Sequence, residues 1–210
     1  MNYEDPLFLT LVVASGICWT IVYLDSIRIG FKERTYAMPI VALAFNLCWE
    51  SLYAYVYLNR NIADIQGWIT LVWALFDVVI LYTFFKFGRN DFENYSGKKY
   101  FYPWVTLIFV MAMTIQISFK AEFDMVGPLY AAFLQNLLMS VLYIYMLHER
   151  KSAKGQTLTI AYAKCIGTLC ATGYGGWLAG YRLAFVIGIL CFVFDVIYII
   201  KLHSCVKSIK

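Results

Sequence analysis

The chain has 210 residues, of which 62% are hydrophobic, 19% aromatic and only 14% charged, and its mean hydropathy is +0.68. Soluble domains sit near about 45–50% apolar and about 25% charged, so the composition excludes a soluble globular protein and points to an integral membrane protein. The formal charge of +4 comes from basic residues in short loops between apolar runs, a pattern that points to a membrane surface and excludes nucleic acid as a partner.

Apolar runs long enough to span a bilayer predict helices near 7–24, 36–58, 66–87, 101–118, 126–147, 157–178 and 181–203. The first places Trp19 and Tyr23 on one face. It follows Glu4 and Asp5, with no basic segment and no A-x-A site, so it is expected to stay as a helix rather than be cleaved. The second carries Asn46, Glu50, Tyr53 and Tyr57 at i, i+4, i+7 and i+11, one stripe of a helix, with Trp49 beside it. The third sets Trp73, Asp77 and Phe84 on a shared face and ends in a polar turn, GRNDFENYSGKK. The fourth is short. The fifth leads into a second polar turn, HERKSAKGQ at 148–156.

The sixth run is rich in small residues, Gly167, Ala171, Gly173, Gly175, Gly176 and Gly180, which suit close helix packing. Its one cation, Lys164, is expected to snorkel to the cytoplasmic surface. The seventh run is nearly continuous with the sixth, and a merger would leave six spans. It aligns Asp195, Tyr198 and Leu202. A short echo links FDVVILYTFFK at 76–86 with FDVIYIIK at 194–201.

The fold expected is all-α: one transmembrane domain, 1–210, of seven helices. Placing the first, third and fifth loops and the C-terminus on one side collects Arg28, Lys32, Arg34, Lys86, Arg89, Lys98, Lys99, Arg150, Lys151, Lys154, Lys201, Lys207 and Lys210 there. Only Arg60, Lys120 and Arg182 fall opposite. The positive-inside rule then sets the N-terminus outside and the C-terminus in the cytoplasm. A bacterial inner membrane or the endoplasmic reticulum would suit such a chain. All six cysteines lie in spans or in the cytoplasmic tail, so neither a structural disulfide nor a zinc site is expected. Oligomeric state is not legible.

Glu50, Asp77 and Asp195 lie well inside spans. Each charged acid at mid-membrane costs about 2.5–3.5 kcal/mol on insertion scales, and intramembrane ionisable groups mark functional cavities by default. A buried hydrogen-bonded network fixing helix register is the plainer alternative. Aromatic rings accompany each acid on its own face. A carboxyl group in an apolar pocket stays protonated and can act as a general acid, and ring faces stabilise a passing cation. Acid with aromatic lining is what carbocation cyclisation of a lipophilic isoprenoid requires.

Residues 31–57, FKERTYAMPIVALAFNLCWESLYAYVY, resemble the membrane-integral terpene cyclases of fungal indole-diterpene and meroterpenoid pathways and their bacterial relatives. The likeness rests on Lys32-Glu33-Arg34-Thr35-Tyr36, the Asn-x-x-Trp-Glu segment from Asn46 to Glu50, and Tyr53. It extends to the whole chain through length, topology and the acid in the last span. The resemblance implies that Glu50 and Asp195 are the catalytic acids. Position along the spans, apart from the resemblance, makes Asp77, nearest mid-membrane, a candidate second member of the working pair. Asn46, Trp49, Tyr53, Trp73, Trp19 and Tyr198 become candidate substrate-binding residues. It implies metal-independent, protonation-initiated cyclisation of a polyprenyl or epoxy-prenyl chain on an aromatic, indole or polyketide head, with no cofactor. The partners implied are a lipophilic prenylated substrate and the bilayer. DDxxD, NSE-type and DxDD motifs are absent from the sequence, in keeping with that reading.

A proton-coupled small-solute transporter is the rival. Seven spans, buried acids and the internal echo suit it, but the acids lie among rings rather than beside Pro-interrupted helices. A retinal protein would need a mid-helix lysine in the last span, and a UbiA-like prenyltransferase would need Asp-rich diphosphate motifs; neither is present.

Overall fold

The computed structural model describes residues 5–89 and 98–207, and among them it contains helices and turns but no strand. The helices are α1 (Pro6–Glu33), α2 (Ile40–Arg60), α3 (Ile65–Phe87), α4 (Phe101–Phe123), α5 (Gly127–Arg150), α6 (Leu158–Ala171) and α7 (Arg182–Lys207). Each overlaps one predicted apolar run. By length and apolarity the stretches 6–33, 40–60, 65–87, 101–150 and 182–207 can cross a membrane. The fourth of these joins α4 to α5 through the short turn Asp124–Val126. Most of the turn read at 88–100, together with Glu4 and Lys210, lies outside the described residues.

Several helix ends differ from the hydropathy reading for local reasons. Helix α1 runs past residue 24 to Glu33, so Arg28 and Lys32 lie on the helix rather than in a loop. It stops in a Schellman turn: Thr35 N donates to Gly30 O at 3.0 Å and Arg34 N to Phe31 O at 3.4 Å, with Arg34 left-handed at φ 53°. Helix α2 begins after Pro39, whose fixed φ suits a helix start. Helix α3 is capped by Asp64, whose Oδ1 accepts from Gln66 N at 2.9 Å and Gly67 N at 3.3 Å. Helix α4 outlasts its apolar run because Lys120 and Glu122 lower hydropathy without breaking a helix. Helix α6 gives way to a π-helical turn at Thr172–Leu178, where Ala179 N reaches back five residues to Tyr174 O. Gly180, at φ +77°, then lets the chain enter α7.

The chain divides into two compact units, one of 27–132 and one of 1–26 with 133–210. In the first, α2 and α3 pack along their length. Phe84 stacks on Phe101 at 5.5 Å in a cluster with Val105, Tyr36 and Phe109. In the second, the small residues of α6 and the π turn serve close packing. Gly167 lies against Cys18 and Trp19, Gly176 against the Phe185 backbone, and Gly188 of α7 against Thr172. Ser15 of α1 donates to Gly167 O at 2.9 Å.

Both units reverse the soluble pattern. Val72, Leu75, Val78 and Tyr82 of α3 face outward, while Thr70, Asp77 and Thr83 of the same helix are buried. Outward aliphatic faces with polar groups inside are the arrangement that lipid favours.

Candidate functional site

In the 27–132 unit the acids of α2 and α3 meet. Asn46 and Glu50 are one turn apart, and Asn46 Nδ2 donates to Glu50 Oε1 at 3.0 Å. The same nitrogen donates to Asp77 Oδ2 at 2.9 Å. Asn46 is 6% exposed, Glu50 1% and Asp77 not at all. One amide therefore holds two buried carboxyl groups from neighbouring helices. Both oxygens lie within 3.0 Å of a single nitrogen, so the carboxyls fall inside the roughly 6 Å over which charges shift one another's ionisation. Two like charges this close and this dry would repel, and carboxyl dyads meet that condition by sharing a proton. Asp77 Oδ1 is buried and has no hydrogen-bond partner.

Aromatic residues lie on the same two helices as these acids. Trp49 packs on Tyr53 at 5.1 Å and Tyr53 on Tyr57 at 6.1 Å. Trp49 is anchored by its indole N–H, which donates to Pro128 O at 2.9 Å, so its face rather than its polar edge is free to stack. Tyr53 is 1% exposed. Trp73, one turn before Asp77 on α3, is half-buried. Gln116 of α4 is also buried, 1% exposed, and its amide reaches Phe45 O at 3.5 Å.

In the other unit Asp195 of α7 is 1% exposed and has a different partner. Lys164 Nζ of α6 lies 2.7 Å from Asp195 Oδ1 and donates to Ser140 Oγ of α5 at 2.6 Å. The expectation that Lys164 snorkels to the surface is corrected: its side chain is fully buried. The physical reason is a counter-charge one helix away, which outweighs a short climb to water. Ser140 in turn donates to Asn136 O at 3.0 Å, and Asn136 Nδ2 donates to Thr168 Oγ1 at 2.7 Å. Tyr198, one turn past Asp195, stacks on Tyr143 at 5.3 Å and donates to Gln156 Oε1 at 2.9 Å. Trp19 lies on α1 beside Tyr23, 6.4 Å between ring centres, and against Gly167.

Of the expected site residues, Asn46, Glu50, Asp77, Trp49, Tyr53 and Trp73 thus belong to one unit, and Asp195, Tyr198 and Trp19 to the other. Sequence reasoning missed Lys164, Ser140 and Asn136. Lys164 carried a usable signal, a lone cation inside an apolar run; the serine and asparagine carried none. It also missed Asp25, which is 8% exposed and hydrogen-bonded to the α6 cap residue Thr157, because it falls at the edge of a hydropathy run. A groove of about 350 Å³ lined by Ile144, Leu147, His148, Lys151, Lys201 and Cys205 lies at the C-terminal ends of α5 and α7 and contains none of the three acids.

Residues 3–207 match the family model described as Pyr4-like transmembrane terpene cyclases. The chain is 26% identical over 164 residues to the Pyr4-family terpene cyclase mfmH of Annulohypoxylon moriforme, a match covering 77% of this chain and 66% of that protein, just under two thirds. It is 25% identical over 208 residues to terpene cyclase pyr4 of Aspergillus fumigatus, covering 90% of this chain and 82% of that one. Terpene cyclase paxB of Penicillium paxilli is 26% identical over 176 residues, 81% of this chain and 70% of that protein. No solved structure matches. A family match over nearly the whole chain, joined to long apolar helices with polar interiors, makes this an integral, multi-pass membrane protein. The chain belongs to the Pyr4-like transmembrane terpene cyclases.

Proposed function

We propose that the protein cyclises a polyprenyl or epoxy-prenyl chain carried on an aromatic, indole or polyketide head, by protonation and without a metal. The observation that carries this reading is the single Asn46 amide bridging the buried carboxyls of Glu50 and Asp77. A proton kept between two dry carboxyls is available to an epoxide oxygen or an alkene carbon. Transfer to an epoxide oxygen opens one C–O bond and leaves a tertiary cation. A neighbouring alkene then donates its π pair to that carbon, and the charge moves along the chain as rings close. Trp49, Tyr53 and Trp73 are proposed to shield the cation and stabilise it through their faces, each such contact contributing about 0.5–2 kcal/mol. Asn46 orients the acids. Asp195, with Trp19 and Tyr198, is proposed to serve the same reaction.

Seven spans with the N-terminus outside and the C-terminus cytoplasmic are part of the same proposal. The seven long helices among the described residues and the one-sided distribution of Lys and Arg support it. A transporter would also hold buried acids, but kinship with cyclases favours chemistry over transport.

The test is to supply membranes carrying the protein with a panel of prenylated and epoxy-prenylated aromatic compounds and to analyse the extract by chromatography and mass spectrometry. A new peak isomeric with its substrate is the expected result. No such peak from folded protein contradicts the proposal.

A further inference from the structure

The groove at the C-terminal ends of α5 and α7 stands apart from the acid clusters and from the reaction. We propose that it binds the phosphate head group of an anionic phospholipid, with an acyl chain lying along the apolar faces of the two helices below it.

The groove encloses about 350 Å³, near the lower end of the roughly 300–1,000 Å³ of small-ligand sites, which suits a head group rather than a whole lipid. Its α5 wall is Ile144, Leu147, His148 and Lys151, spaced i, i+3, i+4 and i+7. Its α7 wall is Lys201 and Cys205, spaced i and i+4. Leu147 is buried and Ile144 half-buried, whereas His148, Lys151 and Lys201 are exposed. Aliphatic side chains therefore form the floor and basic ones the rim.

The rim cations are not neutralised from within. Among the described residues no acid pairs with His148, Lys151 or Lys201. Glu149, the one acid within 141–157 and 196–207, is not part of the lining. Other cations of the chain are engaged: Lys164 with Asp195, Arg150 with the Lys154 carbonyl, and Lys86 over the Tyr82 ring. Complementing a helix dipole does not account for Lys201, which lies more than a turn before the end of α7 at Lys207, because that effect falls off within the last turn.

Away from the rim the same stripes continue as apolar surface. Val193 and Ile197 precede Lys201 at i−8 and i−4 on α7, Val141 precedes Ile144 by one turn on α5, and all three face outward. An acyl chain on that face meets aliphatic carbon, while its phosphate meets two ammonium groups and an imidazole N–H. A soluble anion would use the rim and leave the apolar floor uncovered. A zwitterionic lipid would bring its own cation towards the lysines. Basic recesses between helices on the cytoplasmic side suit anionic head groups, and the orientation proposed above sets both helix ends on that side.

The test uses the full chain purified in a neutral detergent. Native mass spectrometry measures binding of phosphatidylglycerol and of phosphatidylcholine with the same acyl chains. The proteins compared are wild type, Lys151→Gln/Lys201→Gln, and the control Lys154→Gln/Lys207→Gln, whose lysines are outside the lining. Each variant is checked for a monodisperse profile. Each groove lysine is expected to contribute roughly fivefold, so the groove variant should bind phosphatidylglycerol roughly twentyfold more weakly while the control stays close to wild type. An equal fall in the control would overturn the proposal by making the attraction a diffuse basic surface. Equal affinity of wild type for the two lipids would overturn it as well. Cys205 supplies a second readout that needs no substitution: its alkylation by a maleimide, mapped by peptide mass spectrometry, should be slowed by phosphatidylglycerol but not by phosphatidylcholine or inorganic phosphate. Slowing by inorganic phosphate alone would assign the groove to a soluble anion, and no slowing by any of the three would leave it without a ligand; either result overturns the proposal. Neither readout depends on cyclisation, so failure here leaves the cyclase reading untouched.

Discussion

Asn46 Nδ2 stands 2.9 Å from Asp77 Oδ2 across the α2–α3 contact, while the same nitrogen reaches Glu50 Oε1 on its own helix at 3.0 Å. One side chain thus does two things: it ties two helices together and it supplies the shared donor for two acids. Replacing it by alanine should strip both carboxyls of that donor. A loss of about 1–3 kcal/mol in stability is expected from the unsatisfied buried groups, together with a fall in product. Thermal unfolding in detergent, read beside product yield, checks both.

The Lys164–Asp195 pair predicts an asymmetry in stability. Lys164→Met alone leaves a buried carboxylate without its cation and should destabilise by about 3–5 kcal/mol. Adding Asp195→Leu should recover most of that loss, because no ion is left stranded. Melting temperatures of the single and double variants decide the matter; a single variant as stable as wild type would mean the pair is not formed.

Close packing of α6, the π turn and α7 makes a prediction about glycines. A Cβ at Gly188 would lie 2.1 Å from Thr172 Oγ1, and one at Gly176 would lie 2.7 Å from Phe185 Cα. Alanine at either position should destabilise by about 1–3 kcal/mol through overpacking. Gly16 of α1 has nothing within 4 Å of such a Cβ, so alanine there should be neutral or stabilise by up to about 1 kcal/mol through helix propensity. The three melting temperatures can be compared directly.

Protonation chemistry predicts indifference to metal removal. A chelator in the membrane assay should leave product formation unchanged, whereas ionisation of a diphosphate would need magnesium held by carboxylates. Loss of product on chelation, restored by added magnesium, would contradict the mechanism.

Helix positions were legible because twenty-residue apolar runs have one solution in lipid. Their ends were less so. Hydropathy drops at Asp25, Arg28 and Lys32 although α1 continues to Glu33, since polar residues lower hydropathy without ending a helix. The Asn46–Glu50 contact was legible because an i, i+4 spacing places both on one stripe. Asp77's tie to Asn46 was not, because pairing between helices depends on their register and rotation. The same blindness applied to Lys164. Counted along the chain it lies near the start of α6, where a long side chain ordinarily reaches water; only the position of α7 reveals Asp195 beside it. The echo of FDVV and FDVI gains a structural counterpart: each aspartate is bonded to the helix before its own, Asp77 to Asn46 of α2 and Asp195 to Lys164 of α6.

The central claim is that Glu50 and Asp77 hold the initiating proton. The most direct test is product formation by membranes carrying Glu50→Gln and Asp77→Asn, normalised to folded protein. An amide keeps the shape and loses the acidic proton, so each variant should leave the substrate unconsumed, with turnover lowered by about 10²–10⁴-fold or more. Substrate consumption at the wild-type rate in both folded variants would contradict the account.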